Sequence, residues 1–501
     1  LQQNTTNTSG NCIAALDIGS NSFHFVLARN IDGHLQILHS EKYAVKLADG
    51  LDQSNYLSQE AIDRGLDALK KLAVTVEQLT DENFRIVATY TLRKARNTHQ
   101  FLSQALKIFP FDIEIIKGHE EARLIYQGVS HYLASDIKHL VLDIGGGSTE
   151  CIIGKNDKIS LLDSIDMGCV SFSRSYFPDG SISKLAFKNA ILHASLEIEA
   201  VSSRFTRIGW KAAYGTSGTI KSIFQVLNYE NDLPLPITLK KLYQLRDALI
   251  NAKHIDNIDV KGLKKSRQSV ICSGLAILIA LMEVLDIKEL NYCDYALREG
   301  VLFGLLEKKS LSDIHTSSIN SLLTRFNVDT EQVERVSTLA KSMFKQLKND
   351  CNLSGKQYEN LLTWSVALHE IGLDINPSGF HRHGRYIIEN ADLPGFNQEQ
   401  VQALAWLVGS HRRKIQPLDN LSWFLIKPIK LASVLVILRL ACLLSKQRHL
   451  STDYDISLGI KSEKIICQLP KKSLDEDSLL YADLMQEQEQ LSTLDIKLVI
   501  R

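Results

Sequence analysis

Asp143 and Glu150 flank Gly145, Gly146, Gly147, Ser148 and Thr149 in the stretch LVLDIGGGSTE, residues 140–150. Glycines let consecutive backbone N–H groups point into one concavity with no Cβ in the way, so such a turn can hold phosphate by main chain alone. Carboxylates at its mouth suit a hard cation with oxygen ligands, which would bridge to that phosphate. An isolated Gly-Gly-Gly between apolar runs is more simply a β-hairpin turn. Here, however, the pattern occurs twice. Asp-Ile-Gly-x-x-Ser starts at Asp17 in IAALDIGSNS and again at Asp143, each time between two apolar runs that read as strands. Two such hairpins, one per lobe, would face each other across a cleft and hold a polyphosphate from both sides. Ser20, Asn21 and Ser22 would grip from one lobe and the glycine turn from the other, with the scissile group between Asp17 and Asp143. Other phosphate loops are excluded, because no Gly-Lys-Ser/Thr follows the glycines and the third glycine of a dinucleotide fingerprint is missing.

The elements that must position these turns repeat as well. Strands expected at 13–17, 22–29 and 35–39 precede a helix near 58–79, a strand at 84–88, a helix near 98–109 and a strand at 112–116. After a helix at 119–133 the plan returns, with strands at 139–144, 149–154 and 159–165. Helices follow near 184–206, 217–228, 239–252 and 268–286, with short strands near 212–214 and 289–292. This order is that of a mixed α/β sheet, compatible with a ribonuclease-H-like lobe, made twice. YGTSGT (214–219) is a further small-residue turn opening a helix, where Gly215, Ser217 and Gly218 would meet an anion at the helix N-terminus; a plain helix cap at Ser217 is the alternative. Past Leu306 the pattern turns helical, at 315–326, 331–349, 356–371, 381–391, 397–410 and 428–447. The tail alternates at 464–469 and 495–500, as in a small α+β module. The expected domains are thus a disordered 1–11, lobes 12–125 and 126–310, a helical domain 311–450 and the module 451–501.

With 501 residues the chain exceeds one core. Fifty-seven basic and 57 acidic residues balance, so a polyanion must be drawn by local basic patches, and general nucleic-acid binding is disfavoured. Eight cysteines without a Cys-x-x-Cys pair read as reduced thiols of a cytoplasmic protein. The polar LQQNTTNTSGN stretch has neither the basic start nor the apolar run expected of a secretion signal, and because residue 1 is not Met the numbering is expected to begin within a longer product. Val270–Leu285 and Leu431–Leu444 are apolar but broken by Glu283 and Arg439, which suits buried core helices better than membrane spans.

The motifs DIGSNSFHFVLAR, TLRKARN, GHEEARLIYQGV, DIGGGSTE, MGCVSF, GTSGTIK, ALREG and LHEIGLDIN, in order from Ile13 to Arg439, resemble the exopolyphosphatase / guanosine pentaphosphate phosphatase family. Asp294-Tyr295 replaces the family's Asp-Gly, a local departure at a turn. The resemblance implies two actin-like, ribonuclease-H-like lobes with an interlobe cleft, followed by an all-α HD-like domain and the small module. It implies Glu121, the second glutamate of GHEEARL, as the catalytic base. Glu120 then only complements the helix dipole. It further implies Mg²⁺ at Asp143 and Glu150, with K⁺ alongside, Arg93 on phosphate oxygens, and a homodimer. LHEIGLDIN and HRHGRYIIEN resemble a metal-dependent HD phosphohydrolase scaffold whose metal set is incomplete, since His369-Glu370 stands where His-Asp is usual. The basic clusters His381, Arg382, His383, Arg385 and His411, Arg412, Arg413, Lys414, extended by Lys261, Lys264, Lys265 and Arg267, would form a track for a long polyphosphate. The expected activity is therefore processive release of orthophosphate from linear polyphosphate. The alternative is release of the terminal phosphate of guanosine pentaphosphate, and a non-catalytic sensor or a sugar kinase lies further off.

Overall fold

The structure, a computed structural model, describes residues 12–31, 34–133, 136–231, 233–306, 311–391, 393–418, 423, 425–448, 456–461, 464–469 and 478–500; the segment 1–11 expected to be disordered lies outside them. The chain divides into two compact units, Leu1–Ser310 and Leu311–Arg501.

The first unit holds two sheets built on one plan. Strands β1 (Cys12–Ile18), β2 (Phe23–Ile31), β3 (His34–Tyr43), β4 (Phe84–Ala88) and β5 (Ile113–Ile115) form a sheet in the order β3-β2-β1-β4-β5. Strands β6 (Lys138–Ile144), β7 (Thr149–Lys155), β8 (Lys158–Ile165), β9 (Ala212–Thr216) and β10 (Leu290–Tyr292) form the other, in the order β10-β9-β6-β7-β8. In both, the first three strands are an antiparallel meander, and the last two run parallel to the first. The register matches too. Asp17 pairs with His24 and Asp143 with Glu150, so each Asp ends its strand at the same point above its turn. The central strands are buried on both faces, as IAALDI and LVLDI lead one to expect where helices cover a parallel pairing.

Helices α1 (Gln59–Thr75), α2 (Tyr90–Lys94) and α3 (Thr98–Ile108) belong to the first sheet. Ser58 caps α1, its hydroxyl accepting from Ala61 N. Helix α4 (Gly118–Leu133) links the sheets. Helices α5 (Cys169–Tyr176), α6 (Lys184–Ile208), α7 (Ser217–Leu227), α8 (Leu239–Ala252) and α9 (Gln268–Val284) surround the second, and α10 (Leu297–Leu306) ends the unit. Among the described residues one stretch, Lys265–Val284, is long and apolar enough to cross a membrane. Its helix, α9, is apolar all round because it is the buried core helix of the second sheet, packed on α6, α8 and α5.

Helices α4 and α10 cross between the two sheets, sharing a core with Ala15, Val26, Val87, Val141 and Ile152. Their backbones nearly touch: a Cβ on Gly300 would run into the carbonyl of Leu124, and one on Gly128 into that of Ala296. This crossing fixes where Glu121 and Arg298 stand.

The second unit contains α11 (Leu311–Arg325), α12 (Thr330–Leu347), α13 (Lys356–Leu368), α14 (Phe380–Asn390), α15 (Gln398–Ser410), α16 (Pro428–Leu444), β11 (Ser457–Lys461), β12 (Lys464–Gln468), α17 (Ser478–Ser492) and β13 (Lys497–Ile500). The tail does not stand apart as a separate module. Leu458, Leu484, Leu491 and Leu498 join the same core as Val336, Leu361 and Leu435, since a sheet of three strands cannot bury its own apolar face.

Candidate active site

The two Asp-Ile-Gly turns fold alike. Gly19 N donates to Ser22 O at 3.2 Å, and Gly145 N to Ser148 O at 2.9 Å. They also face each other: a Cβ on Gly146 would lie 2.7 Å from the Cβ of Ser20. On Gly147 it would enter the ring of Tyr90. The glycines are therefore required by the approach of the opposite lobe as well as by any ligand. Cys169 N and Val170 N, at the start of α5, donate to the carbonyls of Gly145 and Gly146 at 2.9 and 2.8 Å. That turns the carbonyls away and leaves the other side of the loop to a cleft of about 220 Å³.

Ser20, Asn21, Ser22, Gly145, Gly146, Gly147, Ser148, Ser217 and Gly218 all line this cleft, together with Asp17, Asp143 and Glu121. Ser217 does not cap its helix. It sits at φ 72°, and its hydroxyl donates to Ile144 O at 2.9 Å, tying α7 to the end of β6. Other expected ligands lie elsewhere. Thr149 is fully buried with its hydroxyl donating to Met167 O at 2.7 Å. Gly215 lies within β9 beneath Ile220 and Leu290, its carbonyl accepting from Cys293 N. Arg93, in the short helix α2, is not on the cleft wall; its Nη1 donates to Glu121 Oε2 at 3.1 Å and to Ile116 O at 2.9 Å. It positions the glutamate. Glu150 sits behind the cleft, accepting from Ser164 Oγ at 2.8 Å. Of the residues proposed to extend a basic track, Arg267 lies over Gly218 and lines the cleft, whereas Lys264 and Lys265 are exposed and do not.

The cleft floor is a row of buried acids. Burial pushes Asp17 up to about 7, opposed by Arg298 and reinforced by Glu121. Burial and then Glu121 likewise push Asp143 up to about 7. Glu150 is driven well above the usual carboxylate range by burial, then by Glu121 and Asp143. Glu121 is raised by burial against the pull of Arg93. Asp17 Oδ1 has no hydrogen-bond partner. Among the described residues no group of three His, Cys, Asp or Glu side chains forms a ready metal site. Mg²⁺ needs none, because it keeps waters and takes one or two carboxylates plus phosphate oxygens. Adjacent buried acids with an orphaned oxygen fit such a cation.

Cations that residue-by-residue reading overlooked line the same cleft: Lys42, Lys221 and Arg298. Arg298 is the arginine of ALREG itself, and a fixed arginine directly after a strand and turn was the available signal. Its Nη1 donates to His24 Nδ1, and burial followed by Arg298 and Lys42 depresses that histidine to about 3, so it stays neutral. Lys42 is lowered to about 8 by burial and then by Arg267 and Arg298. The Asp294-Tyr295 departure leaves the turn intact, since Tyr295 has no positive φ and needs no glycine. Its carbonyl accepts from Thr216 Oγ1 at 2.7 Å.

In the helical unit, His381 is buried, Arg382 is exposed, and Arg385 is paired with Glu389 at 2.7 Å. His369 and His411 are buried beside each other, their ring centroids 5.7 Å apart. His383 is half-buried on α14, and Arg412 and Arg413 lie on the loop after α15.

Two sheets on one plan, their glycine turns facing each other over a cleft lined with acids, define a protein of the actin-like α/β class. The chain belongs to the Ppx/GppA phosphatase family, whose profile matches residues 26–309, while that of the Ppx/GppA phosphatase domain III matches residues 314–488. It is 37% identical over 493 residues, 98% of each chain, to a guanosine-5'-triphosphate,3'-diphosphate pyrophosphatase of Pseudoalteromonas translucida. To the protein of that name from Aeromonas hydrophila it is 37% identical, over 95% of this chain and 96% of the relative. Among solved structures, an exopolyphosphatase from Cytophaga hutchinsonii superposes with a TM-score of 0.53 at 23% identity, over 59% of this chain and 97% of that one. A PPX-GPPA enzyme from Aquifex aeolicus gives 0.51 at 24%, over 59% and 99%. At these identities the structural likenesses establish the fold.

Proposed function

We propose that the protein hydrolyses the terminal 5'-phosphate of guanosine pentaphosphate, releasing orthophosphate and leaving guanosine tetraphosphate. This replaces the polyphosphate preference expected from the sequence. The carrying observation is the near full-length similarity to relatives bearing the nucleotide phosphohydrolase name.

In this reading the terminal phosphate lies between Asp17 and Asp143, held by backbone N–H groups of the two turns. Lys42, Lys221, Arg267 and Arg298, which line the same cleft, draw in the rest of the anion. Glu121 takes the proton of a water whose oxygen attacks the terminal phosphorus, and the anhydride P–O bond breaks with its electron pair on the departing β-phosphate. A carboxylate raised toward working pH is an effective base. Arg93 keeps it ionised and aimed. Asp143, on the cleft floor, would hold Mg²⁺, which would supply charge neutralisation on the transferring phosphoryl oxygens; Glu150, behind the cleft and bonded to Ser164, would add negative charge beside that ligand without reaching the phosphate. K⁺ alongside it and a homodimeric assembly belong to the same proposal through the family resemblance.

The test is phosphate release from guanosine pentaphosphate and, separately, from long-chain polyphosphate, by the wild type and by Glu121→Gln. Release mainly from the nucleotide, lost in the variant, supports the reading. Release mainly from polyphosphate would return the protein to the exopolyphosphatase activity, and release undiminished in the variant would remove Glu121 from its role.

A further inference from the structure

The helical unit contains a cavity of about 690 Å³, in the range of small-molecule sites, at the ends of α13, α15 and α16 and along α17. Its charges divide into spent and unspent. Glu370 pairs with Arg448 at 2.7 Å, Asp483 with Lys446 at 2.8 Å, and Glu487 with Arg439. Arg412, Arg413 and Lys414, consecutive on the loop after α15, have no carboxylate partner among the described residues. The Arg412 guanidinium lies over the Phe380 ring, 4.6 Å from its centroid, which holds the group flat while leaving its N–H edge free.

The loop is held from below by an unusual device. Arg439 is 2% exposed in the otherwise apolar helix α16, and a buried arginine is costly unless fully bonded. Beyond Glu487 it donates to Ser410 O and, at 3.0 Å, to Arg413 O. Those bonds clamp the loop while Arg413 sits at φ 57°, a left-handed conformation that a long side chain rarely adopts.

The wall also carries acceptors. Nδ1 of His369 and of His411 bonds the carbonyl of Val366 and of Val408 at 2.7 and 2.6 Å, so in each neutral ring Nδ1 is the donor. Both Nε2 atoms are then lone-pair acceptors. Glu370 Oε2 is buried without a partner. At neutral pH an inorganic polyphosphate offers almost only acceptors and would meet three more here. Among the described residues no three side chains form a metal site that would use these acceptors instead.

We propose that this cavity is a second binding site, separate in chemistry from the catalytic cleft, for a phosphate ester that also carries hydrogen-bond donors: a phosphorylated nucleoside. The phosphate meets Arg412 and Lys414, and hydroxyl or amino groups donate to Glu370, His369 and His411. The site does not depend on which substrate the cleft hydrolyses.

Hydrogen–deuterium exchange of the full chain locates the binding. Guanosine 5'-monophosphate at about ten times its dissociation constant should slow exchange across 411–416 roughly tenfold. Pyrophosphate, which lacks donors, should not, and the double variant Arg412→Gln/Lys414→Gln should lose the effect with exchange elsewhere in the unit unchanged. The proposal is overturned if pyrophosphate protects as well as the nucleotide, if the double variant stays protected, or if the monophosphate slows only the cleft turns at 19–22 and 145–148.

Discussion

Asp17→Asn should make the metal-free protein more stable while disabling it. The residue is partly buried, its Oδ1 is buried without a partner, and the carboxyl is pushed from its ordinary 3.8 up to about 7. Because the folded value lies above the unfolded one, the native state binds more protons between those limits, and the stability of the wild type falls as pH rises from about 4 to about 7. A rise of that size corresponds to about 4 kcal/mol once the group is ionised. Asparagine carries no such term. The variant should therefore match the wild type near pH 4 and gain about 4 kcal/mol by pH 8, which for a unit of 310 residues is a rise of roughly 6 °C in its transition. Calorimetry in chelator at both pH values measures the first unit's transition, and phosphate release measures the loss of activity. A variant no more stable at pH 8 than the wild type would refute the reasoning, because it would mean that the carboxylate is not held against its own solvation.

Glu121→Gln should lower kcat by about 10²–10⁴ with KM little changed, read from steady-state phosphate release. Arg93 holds the Glu121 carboxylate down, so Arg93→Gln should move the acidic limb of the pH–rate profile to higher pH; an unmoved limb would show that the arginine acts only structurally. Gly147→Ala drives a methyl into the Tyr90 ring, so it should cost about 1–3 kcal/mol and most of the activity, and a second change, Tyr90→Ala, should recover part of both. Arg439→Met leaves Glu487 buried and unpaired and should destabilise the helical unit by about 3–5 kcal/mol in denaturant titration, whereas Arg439→Met/Glu487→Leu should recover most of that.

The hairpins and their duplication were legible in the sequence because they rest on local signals: continuous apolar runs, glycine turns and the spacing of Asp from Gly. The helix α4 with Glu121 was legible for the same reason. What was not legible depends on contacts distant in sequence. Arg93 reads as a phosphate ligand until the fold brings it to Glu121, 28 residues away. Glu150 reads as sitting at the mouth of the turn, yet its carboxylate is taken by Ser164 of the neighbouring strand and does not line the cleft. Thr149 and Gly215 belong to the right motifs, but strand pairing and core packing use up their polar groups. Helix α10, only ten residues long, was hidden because ALREGVLFGLL is apolar nearly all round, and with it went Arg298. The tail was read as a separate module since no local pattern records that Leu484 and Leu498 share the helical core.

The repeat also gives its two aspartates different electrostatic surroundings. Asp17 and Asp143 occupy equivalent register positions, but their cross-strand partners differ, His24 in one copy and Glu150 in the other. His24 accepts from Arg298 and, kept neutral, adds no negative charge, while Glu150 deepens the acidic row around Asp143. One geometry, used twice, thus offers two environments for a phosphate chain. Arg298 and Lys42 offset the charge of Asp17, whereas Asp143 is met by the Ser217 hydroxyl and Arg298 against the added charge of Glu121.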